Sequence, residues 1–255
     1  MTGVLPIALE ESRKIVQALL LSGKEYVCVM KLHREEKKEH VKKVLEEFEG
    51  TIYQRPPLRA SVKRRLRTRR IYYIDFLEMK GRNVLFKVGC EAGTYIRKIC
   101  HDVGEVLGCA AHMQELRRTR AGPFVENGNM VTLHDVAYWF MEWLQQKDES
   151  ILRKFVQPME KALAFVPKIY VRDSAVGAVC HGATLTAPGV LSLETGIKGG
   201  STVAVFTLKG EAVALTKAVA STEEILNMEH GVVAETRRVL MLRGTYPKCW
   251  KSGEA

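Results

Sequence analysis

Two short segments hold the side chains with the most chemical reach, Gly93-Thr94-Tyr95-Ile96-Arg97 and Gln114-Glu115-Leu116-Arg117-Arg118-Thr119-Arg120. On an extended segment, residues two apart point to the same side, so Tyr95 and Arg97 can offer one small site a phenol and a guanidinium. Neither group is a nucleophile of the kind such a site would need. Arginine is rarely buried unless paired, so Arg97 beside the apolar Ile96 and Ile99 implies a carboxylate or phosphate partner. No Ser-His-Asp order, P-loop or dinucleotide-binding glycine pattern competes, and Gly93, Gly104 and Gly108 are too dispersed to cradle a dinucleotide.

A second concentration of chemistry is purely electrostatic. Arg55, Arg59, Lys63, Arg64, Arg65, Arg67, Arg69 and Arg70 follow one another with no acid among them. A solvated helix face mixes signs, as Glu35 to Glu49 does; this run does not. With a formal net charge of +10 over 255 residues, it predicts contact with the phosphates of a nucleic acid.

The elements that must position these groups are readable from periodicity. Leu9 to Leu20 predicts a helix stopped by Gly23, Lys24 to Leu32 a strand with Tyr26, Cys28 and Met30 on one side, and His40 to Phe48 an amphipathic helix closed by Gly50. Pro56-Pro57 interrupts any regular element continuing past Gln54, so the basic run begins in a loop or at a strand edge. Ile71 to Met79 and Val84 to Cys90 form a β-hairpin across Lys80-Gly81-Arg82-Asn83. Ile96 to Leu107 is helical, which puts Tyr95 and Arg97 where a strand or loop turns into a helix. Met113 to Thr119 is a further strand, and Thr132 to Asp135 opens a helix running to Leu144. From Lys168 onward come short β runs punctuated by glycine (Ile169 to Val171, Val190 to Leu193, Thr202 to Thr207, Ala212 to Leu215, Val232 to Leu242), the pattern of a small β-barrel.

Composition bounds the class. An apolar fraction of 46% is that of a globular chain, and no run of eighteen apolar residues or secretory leader pattern is present, so a cytosolic protein is expected, nucleolar if the source is a eukaryote. The six cysteines contain no C-x-x-C pair, which argues for reduced thiols rather than a disulfide framework or zinc site. Cys100-His101 with Cys109 and His112 lacks metal-ligand spacing and reads as packing.

The stretch Cys90 to Arg97, then His101-Asp102-Val103-Gly104, then Gln114 to Gly122, resembles the TruB family of pseudouridine synthases, and within it the archaeal and eukaryotic dyskerin-like branch. Gly23 to Val27, Gln54 to Leu58, Met130 to Val136, His230 to Val233 and Thr245 to Lys248 agree in the same order, so the likeness covers essentially the whole chain. It implies an α+β fold: a mixed, largely antiparallel sheet with flanking helices over residues 1–166, and a small RNA-binding barrel, the PUA domain, over 167–255. It further implies isomerisation of an RNA uridine to pseudouridine by base flipping, in tRNA or in rRNA as the guide-dependent subunit of an H/ACA particle with small core proteins. No metal, no organic cofactor and no membrane is implied.

By the same resemblance Tyr95 lies by the target base and acts toward the sugar, Arg97 pairs with a nucleophilic aspartate, Tyr26 stacks on a base and Leu116 walls the pocket. Arg55, Arg59, Lys63, Arg64, Arg65, Arg67, Arg117, Arg118 and Arg120 are expected to meet RNA. In the barrel, His181, Gly182, Ala183, Leu185, Pro188 and Gly189 resemble the surface that receives an RNA end. One departure matters. The family aspartate belongs to a Gly-Thr-Leu-Asp-Pro motif that precedes a segment matched here by Thr2-Gly3-Val4-Leu5-Pro6, so it would fall just upstream of Met1. Asp102 matches a structural position. The expectation is a chain without its nucleophile, from a truncated reading frame or as a catalytically inactive RNA-binding paralogue or fragment.

Overall fold

The structure is a computed structural model that describes residues 1–57 and 62–249. Its elements in chain order are β1 (Thr2–Gly3), α1 (Val16–Leu21), β2 (Lys24–Leu32), α2 (Lys38–Glu46), β3 (Gly50–Gln54), β4 (Arg67–Lys80), β5 (Asn83–Cys90), α3 (Ile96–Val106), β6 (Ala111–Ala121), β7 (Phe124–Val125), α4 (Leu133–Gln146) and α5 (Leu152–Phe155). They are followed by α6 (Met159–Ala162), β8 (Lys168–Val171), α7 (Asp173–Cys180), β9 (Leu185–Thr186), β10 (Val190–Leu193), β11 (Thr202–Thr207), β12 (Ala212–Ala218), α8 (Thr222–Leu226) and β13 (Val232–Val239). The chain divides into two compact units, one of residues 1–6 and 20–155, the other of 7–19 and 156 onward.

The first unit is built on a seven-stranded sheet in the order β1-β6-β2-β5-β4-β3, with β7 added to β6; only β1 runs parallel to its neighbour. The expected alternation of β2 holds. Cys28, Met30 and Leu32 are fully buried and pack with Val84, Phe86 and Val88 of β5 beneath Val41, Val44 and Leu45 of α2 and Ile96, Ile99, Cys100 and Val103 of α3. The Cys28 and Cys100 thiols meet at 3.6 Å and all six cysteines are free. Cys100 therefore faces the sheet while His112 bonds His33 (2.8 Å), so the sequence neighbours Cys100, His101, Cys109 and His112 do not converge.

Gly104 sets the distance between α3 and the sheet. A Cβ there would lie 2.1 Å from the Ala111 nitrogen and 2.8 Å from the Ala111 Cβ. Beyond it, Gly108 ends the helix region in the left-handed conformation (φ +69°). On the opposite face of the sheet Glu25 accepts hydrogen bonds from Tyr73 Oη and from Thr119 Oγ1, and Arg120 Nη2 donates to Tyr73 Oη (3.2 Å). Burial alone would raise the Glu25 carboxyl, but these two hydroxyl donors with nearby Lys87 and Arg120 hold it below the usual carboxylate range.

The predicted helix over Leu9 to Leu20 instead opens as a 3₁₀ turn (Glu10–Ile15) and becomes α-helical only at Val16. The second unit is a six-stranded sheet in the order β10-β8-β11-β12-β13-β9, antiparallel except where β11 meets β8. Ile169, Val171, Val203, Val205, Val213 and Val233 fill its interior against Val176 and Val179 of α7 and Ile225 of α8. The strands expected here are present; α7 and α8 were not anticipated. No helix among the described residues is long and apolar enough to cross a membrane.

Candidate active site

Tyr95 stands at the mouth of α3 as its N-cap residue, with extended backbone angles (φ −97°, ψ 101°), and Arg97 is already the second residue of the helix. The pair is therefore not governed by strand alternation: Ile96 opens the helix and turns the backbone between them. Placement at a loop-to-helix junction, the other expectation, is what the fold provides. Ile96 is buried in the cluster that contains Leu116, and Tyr26 packs against the same cluster. Leu116 and Tyr26 thus belong to one apolar cluster, and Tyr95 and Arg97 flank its member Ile96 in the chain.

Each of the four owes its place to a different element. Leu116 lies on β6 opposite Cys28 of β2, and Tyr26 lies on β2 opposite Arg118 of β6 and Val88 of β5. Burial pushes the Tyr26 phenol above its ordinary pKa, with a hydrogen bond and charge from Arg118 opposing. Arg118 is itself anchored, its Nε donating to the Val4 carbonyl at 2.6 Å. Arg97 is exposed, and its side chain makes no hydrogen bond or ion pair with any described residue. Asp102, one of two acids on the same helix, is taken by Lys98 (2.6 Å) and touches His101 (3.3 Å).

The loop 91–95 that delivers Tyr95 is fastened to the ends of β3 and β4. Glu91 N–H donates to the Arg70 carbonyl (2.8 Å), and Arg70 N–H donates back to Glu91 Oε2 (3.0 Å). Gly93 has φ +79° and lies under the Arg69 guanidinium, whose Nη2 would sit 3.2 Å from a Cβ at that position. Gln54, buried at 2% exposure, receives Tyr95 N–H at Oε1 (3.0 Å) and donates from Nε2 to the Tyr95 carbonyl (3.2 Å).

The basic run is divided between a loop and a strand. Arg55, Lys63, Arg64 and Arg65 are exposed ahead of β4, Arg67, Arg69 and Arg70 lie within it, and Arg59 falls outside the described residues. Tyr53, Arg65, Leu66, Arg67, Thr68 and Arg69 line an open groove of about 570 Å³. Arg67 Nε and Arg69 Nε are buried there without a partner among the described residues, donors suited to an anion. Tyr53, exposed on β3, escaped the sequence reading because nothing in its spacing ties it to arginines a dozen positions away.

Arg117, Arg118 and Arg120 prove to be bound into the protein. Arg117 forms a two-pronged ion pair with Glu126, Arg118 holds Val4 and Tyr26, and Arg120 reaches Tyr73. In the second unit His181, Gly182 and Ala183 are exposed in the turn after α7, where Gly182 adopts φ +92°, and Pro188 is exposed with Gly189 half-buried. Leu185 requires correction: at 1% exposure its side chain is core, since β9 turns it inward onto the cluster with Val233 and Val179, so it offers no side-chain surface to RNA.

Comparison with known proteins gives the same outline. The family model described as TruB family pseudouridylate synthase (N terminal domain) matches residues 1–96, that of the tRNA pseudouridylate synthase B C-terminal domain matches 97–164, and that of the PUA domain matches 167–240. A probable tRNA pseudouridine synthase B of Methanopyrus kandleri is 58% identical over 98% of this chain and 73% of its own length. Its counterpart in Pyrococcus furiosus is 52% identical over 98% of this chain and 74% of its own. Among solved structures, a Cbf5-Nop10-Gar1 complex superposes with a TM-score of 0.94 at 52% identity over 96% of this chain and 75% of that one. An H/ACA RNP bound to a substrate RNA containing 2′-deoxyuridine superposes with a TM-score of 0.91 at 49% identity, over 97% of this chain and 75% of that one.

Proposed function

Because the chain belongs to the TruB family of pseudouridine synthases, we propose that it isomerises an RNA uridine to pseudouridine as the catalytic subunit of a guide-RNA particle, with small core proteins like the Nop10 and Gar1 of its structural relatives. The observation that carries this reading is the placement of Tyr95 and Arg97 at the N-terminal end of α3, on either side of Ile96, which is buried in the cluster that holds Leu116 and that Tyr26 packs against. In the reaction the bond from the sugar to N1 of uracil breaks, the base rotates, and C5 bonds to the sugar in its place, giving up its proton while N1 takes one. The target must leave its stack to reach such a site, and Tyr26 offers a flipped base an aromatic face. Leu116 gives it an apolar wall. Tyr95 is assigned to the sugar of the target nucleotide, where its hydroxyl can exchange a proton.

Arg97 is assigned to the nucleophilic carboxylate, which a guanidinium fork holds ionised and aimed. Asp102 is bound to Lys98, and the family motif Gly-Thr-Leu-Asp-Pro is the source the resemblance names. The test incubates residues 1–255, with and without that motif joined ahead of Thr2, with guide and substrate RNA. Product is read as the pseudouridine nucleoside after digestion. Turnover is expected with the motif joined. Turnover of the shorter chain that vanishes on Asp102→Ala would overturn the assignment, whereas an RNA-binding paralogue would stay silent in both forms.

The basic groove is assigned to the backbone of the substrate strand, supported by the two unpartnered arginine nitrogens and by Tyr53 beside them. Replacing Lys63, Arg64 and Arg65 together by alanine should weaken RNA binding across sequences and reduce the slope of log affinity against log salt by about 2. An unchanged slope in a filter-binding titration would remove this run from the interface.

A further inference from the structure

We propose that the side-chain amide of Gln54 is a positioning residue for Tyr95, holding the tyrosine's backbone in the conformation that presents it at the site and tying it to the base of the basic arm. The proposal deepens the reading of Tyr95 given above and rests on it for its functional half; its structural half stands independently.

Gln54 is the last residue of β3, on the inward face with Ile52, where an apolar side chain would be the ordinary choice. Burying an amide costs free energy unless its hydrogen-bonding groups are matched. Both are matched by the backbone of one residue 41 positions away: a backbone N–H can only donate and a carbonyl only accept, so Oε1 must face Tyr95 N–H and Nε2 the Tyr95 carbonyl. The amide thus extends the β-ladder by one rung made of side chain. The carbonyl is well supplied besides, since Lys98 N–H (3.0 Å) and Ile99 N–H (3.2 Å) also donate to it, but Gln54 is the partner the structure gives the N–H. With no side-chain cap of its own, α3 could extend backward by one residue, and the rung opposes that by holding Tyr95 at ψ 101°.

Gln54 also has a second neighbour of consequence. It is paired in register with Arg67, the first residue of β4 and a wall of the basic groove. Two residues on, Arg69 lies over Gly93, and the Arg70 backbone accepts from Glu91 N–H and donates to Glu91 Oε2. The ends of β3 and β4 therefore grip the loop 91–95 at three points.

The experiment labels the eight tyrosines with 3-fluorotyrosine, identifies the Tyr95 fluorine signal with Tyr95→Phe, and compares Gln54→Ala with Gln54→Glu. In Gln54→Ala the Tyr95 signal is expected to shift or broaden while the other tyrosine signals hold. A protonated glutamic acid carries the same acceptor and donor as the amide, whereas its carboxylate carries no donor. In Gln54→Glu the signal should therefore return reversibly to its wild-type position on acidification, with no such recovery in Gln54→Ala. In the isomerising form, Gln54→Ala should lower kcat on the order of 10- to 100-fold with KM unchanged. An unmoved Tyr95 signal in Gln54→Ala, the absence of acid recovery in Gln54→Glu, or collapse of all tyrosine signals together in both variants would overturn the proposal. A motif-bearing protein that makes no pseudouridine with any RNA would defeat the reading of Tyr95 while leaving the fluorine result in place.

Discussion

In the motif-bearing form, Arg97→Ala is expected to reduce isomerisation by about 10²- to 10³-fold, the usual consequence of deleting one preorganised electrostatic partner of a reacting group, while leaving the fold intact. The two halves of that expectation come from the same observation. Arg97 is exposed and binds no described residue, so the folded chain loses no hydrogen bond when it goes. Its stability should stay within about 0.5 kcal/mol, with alanine's helix propensity slightly in its favour. Arg97→Lys separates charge from shape: lysine restores the positive charge but not the planar fork, so partial recovery is expected. Single-turnover kinetics and a thermal melt on the same preparations decide the matter. A variant that loses activity and melting temperature together would make Arg97 a structural residue.

The largest effect on stability is expected from Gly104→Ala. The new methyl would lie 2.1 Å from the Ala111 nitrogen and 2.6 Å from the Ala110 carbonyl carbon, and those atoms are backbone, which cannot rotate away. Nor can the turn yield easily, because the Gly104 carbonyl accepts from both Cys109 N–H (3.2 Å) and Ala110 N–H (3.0 Å). Separating α3 from β6 would open contacts of Ile99, Cys100 and Val103, so a loss of about 3 kcal/mol or more is expected. Gly108→Ala is the control: its φ of +69° strains any side chain, but nothing lies within 4 Å of the added Cβ, and its cost should be about 1 kcal/mol. Equal denaturation midpoints for the two variants would show that the close approach is not what fixes α3.

Where a periodic pattern met a buried face, the sequence could be read almost to the residue. β2 and β11 begin and end where the alternation of Lys24 to Leu32 and the run Thr202 to Thr207 place them, because one or both of their faces are core. α7 was not legible for the converse reason. Between Asp173 and Cys180 the segment is mostly alanine, valine and glycine, residues whose spacing favours neither period, set among genuine strands. In the candidate site the residue types were informative but their geometry was not. The phenol and guanidinium were evident, yet the turn at Ile96 that separates Tyr95 from Arg97 is fixed by burial of Ile96 under long-range contacts.

The partners of Arg117, Arg118 and Arg120 come from Glu126, Val4 and Tyr73, positions that local spacing does not connect. Gln54 did leave a trace, a polar residue at an inward position two beyond Ile52, and such a residue in a strand calls for a search for its partner.

The parallel pairing of β1 with β6 has a kinetic consequence. Thr2 and Arg117 stand 115 positions apart, whereas β4 and β5 meet across a turn of two residues, Gly81 and Arg82. Closing the short loop takes microseconds and little entropy, while the long one is entropically costly until the intervening sheet has assembled. The hairpin is thus a natural place for folding to nucleate and the β1 docking one of its last events. During synthesis the Thr2–Gly3 segment must wait, unpaired, until β6 has been made.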